Sequence, residues 1–135
     1  MTDTIRLTIP HQPPFHGVAL LVVGGLAARL DLSYESLEDL QLALESVLEN
    51  GGYATQPQVT VELEVAAGSL AMIVGPLDGE AVKAALEEDG DDRISLGRLL
   101  ATLVEDVQLK RREDGDWLRL DKRVSTVRRR ETSDA

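Results

Sequence analysis

Apolar and polar residues alternate from Thr4 to Ile9, with Ile5, Leu7 and Ile9 on one side and Thr4, Arg6 and Thr8 on the other, which predicts a strand with one wet face. Pro10, Pro13 and Pro14 end it. From Phe15 to Leu32 the chain becomes an apolar run of helical length, FHGVALLVVGGLAARLDL, which predicts a helix covered on most sides. Gly24 and Gly25 interrupt this run. An interior glycine costs a helix about 1 kcal/mol relative to alanine, so the pair predicts close approach of another element.

Asp31 and Ser33 are candidate N-caps for a second helix, with Glu35 and Glu38 near its positive end. Leu37, Leu40, Leu44, Val47 and Leu48 form one apolar stripe, and Asn50-Gly51-Gly52 is a stop signal. A strand follows with Val59, Val61, Leu63 and Val65 inward and Thr60, Glu62 and Glu64 outward. Through a short turn containing Gly68 it forms a hairpin with a strand from Leu70 to Val74. The stretch from Asp78 to Asp92 carries seven acidic residues with a brief AVKAAL helical run inside it and reads as an exposed, mobile segment. Ile94 to Val107 returns to helical periodicity, and strands over about Asp106 to Lys110 and Trp117 to Lys122 close the pattern. This order predicts an α+β fold, a two-layer α/β sandwich in which helices cover one face of a mainly antiparallel sheet.

At 135 residues the chain is one domain long, and 43% hydrophobic with 28% charged residues is enough to bury a core. The domain is expected over 1–124, with 125–135 a disordered tail. Cysteine is absent, which excludes disulfides, thiolate metal sites and a cysteine nucleophile. The 14 basic against 24 acidic residues give a net charge of -10, which opposes direct nucleic-acid binding and anionic membrane surfaces. No secretory signal pattern opens the sequence, and the near-apolar run from Gly17 to Ala28 is too short to span a bilayer, so a cytoplasmic location is expected. His11 and His16 carry no ligand pattern, Arg128-Arg129-Arg130 reads as part of the tail, and Trp117, facing opposite Leu118 and Leu120, is expected to be exposed or half-exposed, a candidate interface anchor.

Two stretches carry a family resemblance. LEDLQLALESVLEN follows the pattern LxxLxLAVSExxxNA without a gap through Leu40, Leu42, Ala43, Leu44 and Asn50, and LLATLVEDVQL is similar to LIxxLVDEV. Both patterns are those of the bacterial anti-sigma regulatory serine/threonine kinases, small members of the GHKL (histidine-kinase-like, Bergerat-fold) ATPase superfamily, which the chain resembles from Ile5 to about Val124. The resemblance implies Mg-ATP between a helical layer and a sheet, a sigma factor or an anti-anti-sigma (STAS) protein as partner, and a homodimer through the first strand.

An active member of that family needs a helix carboxylate as general base and, one turn later, an Asn that holds the Mg²⁺ bridging the phosphates. The gapless register puts Asn50 at the Asn position and Ser46 at the base position, where serine cannot act. Glu45 is adjacent but rotated by about 100°, and slipping the register to use it puts Glu49 where the Asn belongs. The adenine-reading Asp is expected where Gly75-Pro76 stands, with Asp78-Gly79 a little beyond. The glycine-rich lid is reduced to Gly97, with Ile94 and Leu96 at glycine positions. The expected function is therefore regulation of transcription by protein binding, with ATP binding and kinase activity lost or weak. The alternative is an active Mg-ATP-dependent protein serine kinase that uses Asn50 with Glu45 or Asp78.

Overall fold

The computed structural model describes residues 3–49, 54–88 and 95–126. Their elements are β1 (Asp3–Pro10), α1 (Pro13–Arg29), α2 (Tyr34–Leu48), β2 (Gln58–Ala66), β3 (Ser69–Leu77), α3 (Gly79–Glu87), α4 (Leu96–Leu103), β4 (Asp106–Arg112) and β5 (Gly115–Arg123). The strands make a sheet in the order β1-β2-β3-β5-β4, every neighbouring pair antiparallel. Thus β5 lies between β3 and β4, which leaves β1 and β4 as edges.

The helices start and stop where the local chemistry dictates. Pro13 and Pro14 open α1, where a missing amide hydrogen costs nothing. Asp31, a candidate cap, instead takes a left-handed conformation at φ 56°. Ser33 caps α2 by accepting from the Ser36 amide at 3.1 Å. The segment read as a mobile acidic loop contains α3, in which Gly79 and Val82 are buried. Its short apolar run forms one helical face, and Asp78 supplies the cap that nucleates it. The helix expected from Ile94 to Val107 is shorter, since Ser95 caps α4 and Val104 already has extended dihedrals.

The core lies between the helices and one face of the sheet. Ala19 and Val23 of α1, Leu40, Ala43, Leu44, Val47 and Leu48 of α2, Val82 of α3 and Leu100 of α4 meet Val61, Leu63, Met72, Val74, Leu118 and Leu120. This is the expected two-layer α+β arrangement, with α1 packed on α2, α2 on α4 and α3 on α4. Gly24 permits the first of these contacts, because Gln41 reaches across to donate to the Leu20 carbonyl at 3.0 Å. A Cβ on Gly25 would meet no other element within 4 Å, so only one glycine of the pair marks a close approach.

The opposite face of the sheet is not simply wet. Ala71, Ile73 and Trp117 form a second buried cluster there, and the outward-facing Thr60 and Glu62 are also buried. Trp117 is 1% exposed, so it is not the exposed anchor expected from its position. Long arginine side chains from the two edge strands fold over this face and exclude water from it.

After β5, the Ser33 amide donates to the Ser125 carbonyl at 2.8 Å and Thr126 bridges to Leu32, so the start of the stretch read as a tail is tied to the α1–α2 turn. The remainder of that stretch, with Arg128-Arg129-Arg130, lies outside the described residues. Among the described residues no helix is long and apolar enough to cross a membrane.

Candidate functional site

The positions to which the resemblance assigns the nucleotide lie on α2, at the end of β3 and at the starts of α3 and α4. Ser46 is half-buried on α2, and its hydroxyl donates back to the Leu42 carbonyl at 2.7 Å. Glu45 lines a groove with Leu20 of α1, so it faces α1 rather than α4, as the helical rotation between neighbours requires. Asn50 lies outside the described residues, as does Ile94. Glu49 is the exposed C-cap of α2, and its amide donates to the Glu45 carbonyl at 2.9 Å.

The end of β3 is filled by protein. Position 75 faces the outer side of the sheet opposite Thr60, and a Cβ on Gly75 would overlap the Trp117 ring. The Gly75-Pro76 peptide is cis, and the Pro76 carbonyl accepts from Thr55 Oγ1 at 3.5 Å. Asp78 Oδ1 accepts from the amides of Glu80 and Ala81, at 3.1 and 3.3 Å. Gly79 is buried so tightly that a Cβ there would overlap the Asp116 carboxylate. Gly97 is closed in the same way, by the Leu86 carbonyl at the end of α3. At the start of α4, Ser95 Oγ accepts from the Arg98 amide at 3.2 Å.

These contacts decide what the residues can do chemically. Phosphates are cradled by free backbone amides at a helix N-terminus, and the amides of residues 80, 81 and 98 already have side-chain acceptors. Glycines admit phosphates when their bare Cα faces open space, and at positions 79 and 97 that space holds protein atoms.

A different polar cluster, not found by sequence reasoning, occupies the outer face of the sheet. Arg112 grips Glu62 with two hydrogen bonds of 3.0 Å, and Arg6 adds a third contact at 3.1 Å. The Arg112 guanidinium carbon is 4.1 Å from the centroid of the Trp117 ring, whose Nε1 donates to Asp114 Oδ1 at 2.8 Å. The hydrogen bonds from Arg112, and then the charges of Arg112 and Arg6, hold the Glu62 carboxyl below its ordinary value against the upward push of burial. Arg119 likewise bridges Glu64 and Asp121, at 3.0 and 3.1 Å. The only sequence signal was a run of outward carboxylates on β2, and it did not show which cations would meet them.

His16 is buried in α1 and its Nε2 has no hydrogen-bond partner. Burial lowers its pKa, the neighbouring His11 lowers it further, and Glu49 opposes both.

Part of the chain is similar in sequence to bacterial serine-protein kinases named RsbW. It is 42% identical over 48 residues to the serine-protein kinase RsbW of Oceanobacillus iheyensis, a stretch covering 36% of this chain and 30% of that protein. RsbW of Listeria monocytogenes serovar 1/2a is 36% identical over 50 residues, covering 37% and 32%, and RsbW of Bacillus subtilis 33% over 48 residues, covering 36% and 30%. The matched stretch thus spans about a third of each of these relatives. No protein-family profile matches the chain. The crystal structure of the RsbU and RsbW domains of a Mycobacterium tuberculosis protein shares the fold, with a TM-score of 0.66 over 92% of this chain and 32% of that one at 16% identity. The expected two-layer arrangement of helices on a mainly antiparallel sheet is therefore the observed one, and that RsbW-domain structure shares it.

Proposed function

We propose that the chain is an anti-sigma-type regulator that acts by binding a protein in the cytoplasm, either a sigma factor or an anti-anti-sigma STAS protein, with ATP binding and kinase activity lost or weak. The observation that carries this reading is the double use of the expected nucleotide positions. Asp78 is spent on the cap of α3, Gly79 and Gly97 are closed by Asp116 and by the Leu86 carbonyl, and Gly75 lies under Trp117. Residues engaged in this way do not fit a nucleotide, so no reaction step is assigned to one. The net charge of -10 supports a protein partner over nucleic acid or an anionic membrane.

A homodimer through β1 belongs to the same reading. That strand is an edge with unpaired backbone groups, and Ile5 on it is exposed, as are Phe15 and Val18 on α1. Sedimentation of the purified chain tests this, with a dimer expected and a monomer at all accessible concentrations counting against it.

Titration calorimetry with ATP and Mg²⁺, paired with thermal shift, tests the central proposal. No heat and no stabilisation at millimolar nucleotide are expected, whereas a ligand at 100 times its dissociation constant would add about 2.7 kcal/mol. Clear binding would overturn the reading in favour of an active serine kinase. The relatives' name, serine-protein kinase, favours that second reading, and it would place the Mg²⁺ on Asn50.

A further inference from the structure

We propose that the seam between α1 and α2 is a docking groove for a basic amphipathic helix of a partner protein. This deepens the protein-binding reading above and rests on it for there being a partner. The groove has a volume of about 450 Å³ and is lined by Leu20, Glu38, Asp39, Gln41, Leu42 and Glu45.

Its apolar part is left in water by the fold. Leu42 is 43% exposed, and Leu20 across the seam is half-buried. The one amide side chain in the groove is already used, because Gln41 Nε2 donates to the Leu20 carbonyl at 3.0 Å. What the groove offers a ligand is therefore leucine surface bordered by carboxylates.

Carboxylates dominate the charge around it. Lys and Arg are absent from the sequence between Arg29 and Lys83, while α2 carries Glu35, Glu38, Asp39 and Glu45. Lys122 neutralises Asp39 from β5 at 3.0 Å. Glu38 accepts from the Tyr34 hydroxyl and has no ion pair among the described residues. The side chain of Glu45 has no ion pair or hydrogen bond among the described residues. Glu38 and Glu45 thus stand as unpaired anions at the two ends of the groove, about 10 Å apart at 1.5 Å per residue. That length matches two turns of a helix, so apolar side chains at i and i+4 would reach Leu20 and Leu42 while flanking Lys or Arg met the two carboxylates.

Other occupants fit less well. A second copy of this chain in a two-fold contact would set these carboxylates against themselves. Nucleic acid and anionic lipid carry the sign that the groove repels.

The probe is a fluorescein-labelled synthetic helix with a leucine stripe flanked by Lys and Arg, compared with the same peptide carrying Glu at every basic position. Binding to the full chain is measured by anisotropy and located by amide chemical-shift changes. The basic peptide should bind with shifts confined to the α1–α2 seam, and the acidic one should not bind. Glu38→Lys/Glu45→Lys should weaken binding by about tenfold or more, whereas Glu87→Lys/Glu88→Lys, with the same change in net charge, should change it less than about twofold. Leu42→Ala, a surface change that leaves the core intact, should weaken it as well. Equal loss in both charge-reversal variants, shifts at another surface, or no binding of the basic peptide would overturn the proposal. So would conversion of a dimer to a monomer by Leu42→Glu, which would make a second copy the occupant. Failure here together with absent ATP binding removes only this surface, whereas tight Mg-ATP binding overturns the regulator reading separately.

Discussion

The indole of Trp117 occupies the space that a side chain at position 75 would need, so Gly75 and Trp117 are a matched pair on the outer face of the sheet. Gly75→Ala should cost about 1–3 kcal/mol through overpacking, and Trp117→Ala about 3–5 kcal/mol through the cavity it leaves. Since the alanine methyl would enter that cavity, the double variant should cost less than the sum of the two. Urea unfolding of the four proteins checks this, and strict additivity would show that the two residues do not compete for the same volume.

Glu62 ties both edge strands to the sheet through Arg6 and Arg112, and its side chain is 8% exposed. Its pKa is lowered from 4.5, so its contribution to stability is fully present above that pH and is lost as pH falls through the lower folded value. Glu62→Gln should cost about 1.5–3 kcal/mol at neutral pH, the range for a hydrogen bond to a charged group. It should also flatten the acid limb of the stability curve. Thermal melts from pH 7 to pH 3 read both effects, and an acid limb as steep as in the parent protein would contradict them.

His16 acts in the opposite pH direction from a salt-bridged histidine. Its folded pKa lies below 6.5, so the unfolded chain takes up the proton more readily. Stability should therefore be intact above about pH 6.5 and shrink as pH falls toward the folded value. His16→Leu removes this dependence. Chemical denaturation at pH 7.5 and pH 5.5 should show a larger drop for the parent chain than for the variant.

The two glycines of α1 should respond differently to alanine. Gly25→Ala meets nothing within 4 Å and should stabilise the protein by up to about 1 kcal/mol. A methyl on Gly24 would lie 3.3 Å from Gln41 Nε2, so the helix gain there should be offset by displacement of that side chain. Equal stabilisation by both would mean that Gln41 moves without cost.

Asp78 separates capping from nucleotide recognition. Asp78→Asn should leave stability unchanged within a few tenths of a kcal/mol, because Asn and Asp cap equally well, and Asp78→Ala should cost about 1 kcal/mol. A large loss in the Asn variant would show that the carboxylate charge does more than cap α3.

The period of apolar residues alone located β1, α2, the β2–β3 hairpin, α4 and the closing hairpin, since each buries one face and that face repeats every 2 or 3.6 residues. Helix α1 was located instead by the length of its apolar run and, expected to be covered on most sides, leaves Phe15, Val18 and Leu21 exposed. The LEDLQLALESVLEN and LLATLVEDV stretches carried the family likeness, because there the sequence itself follows a pattern. Helix α3 was legible only as the short AVKAAL helical run, and its packing was not: the acidic surroundings read as exposed and mobile, whereas the nine-residue helix buries Gly79 and Val82. Strand order was decided in three dimensions, where β5 enters between β3 and β4 and carries Trp117 over Gly75. The burial of Glu62 depends on arginines 56 positions before it and 50 after it, which no local pattern records. The occupation of Gly79 by Asp116 and of Gly97 by Leu86 belongs to the same class. A local pattern specifies which face of an element is apolar, whereas the partner of a polar or bare backbone atom is set by elements distant in sequence that the sheet brings together.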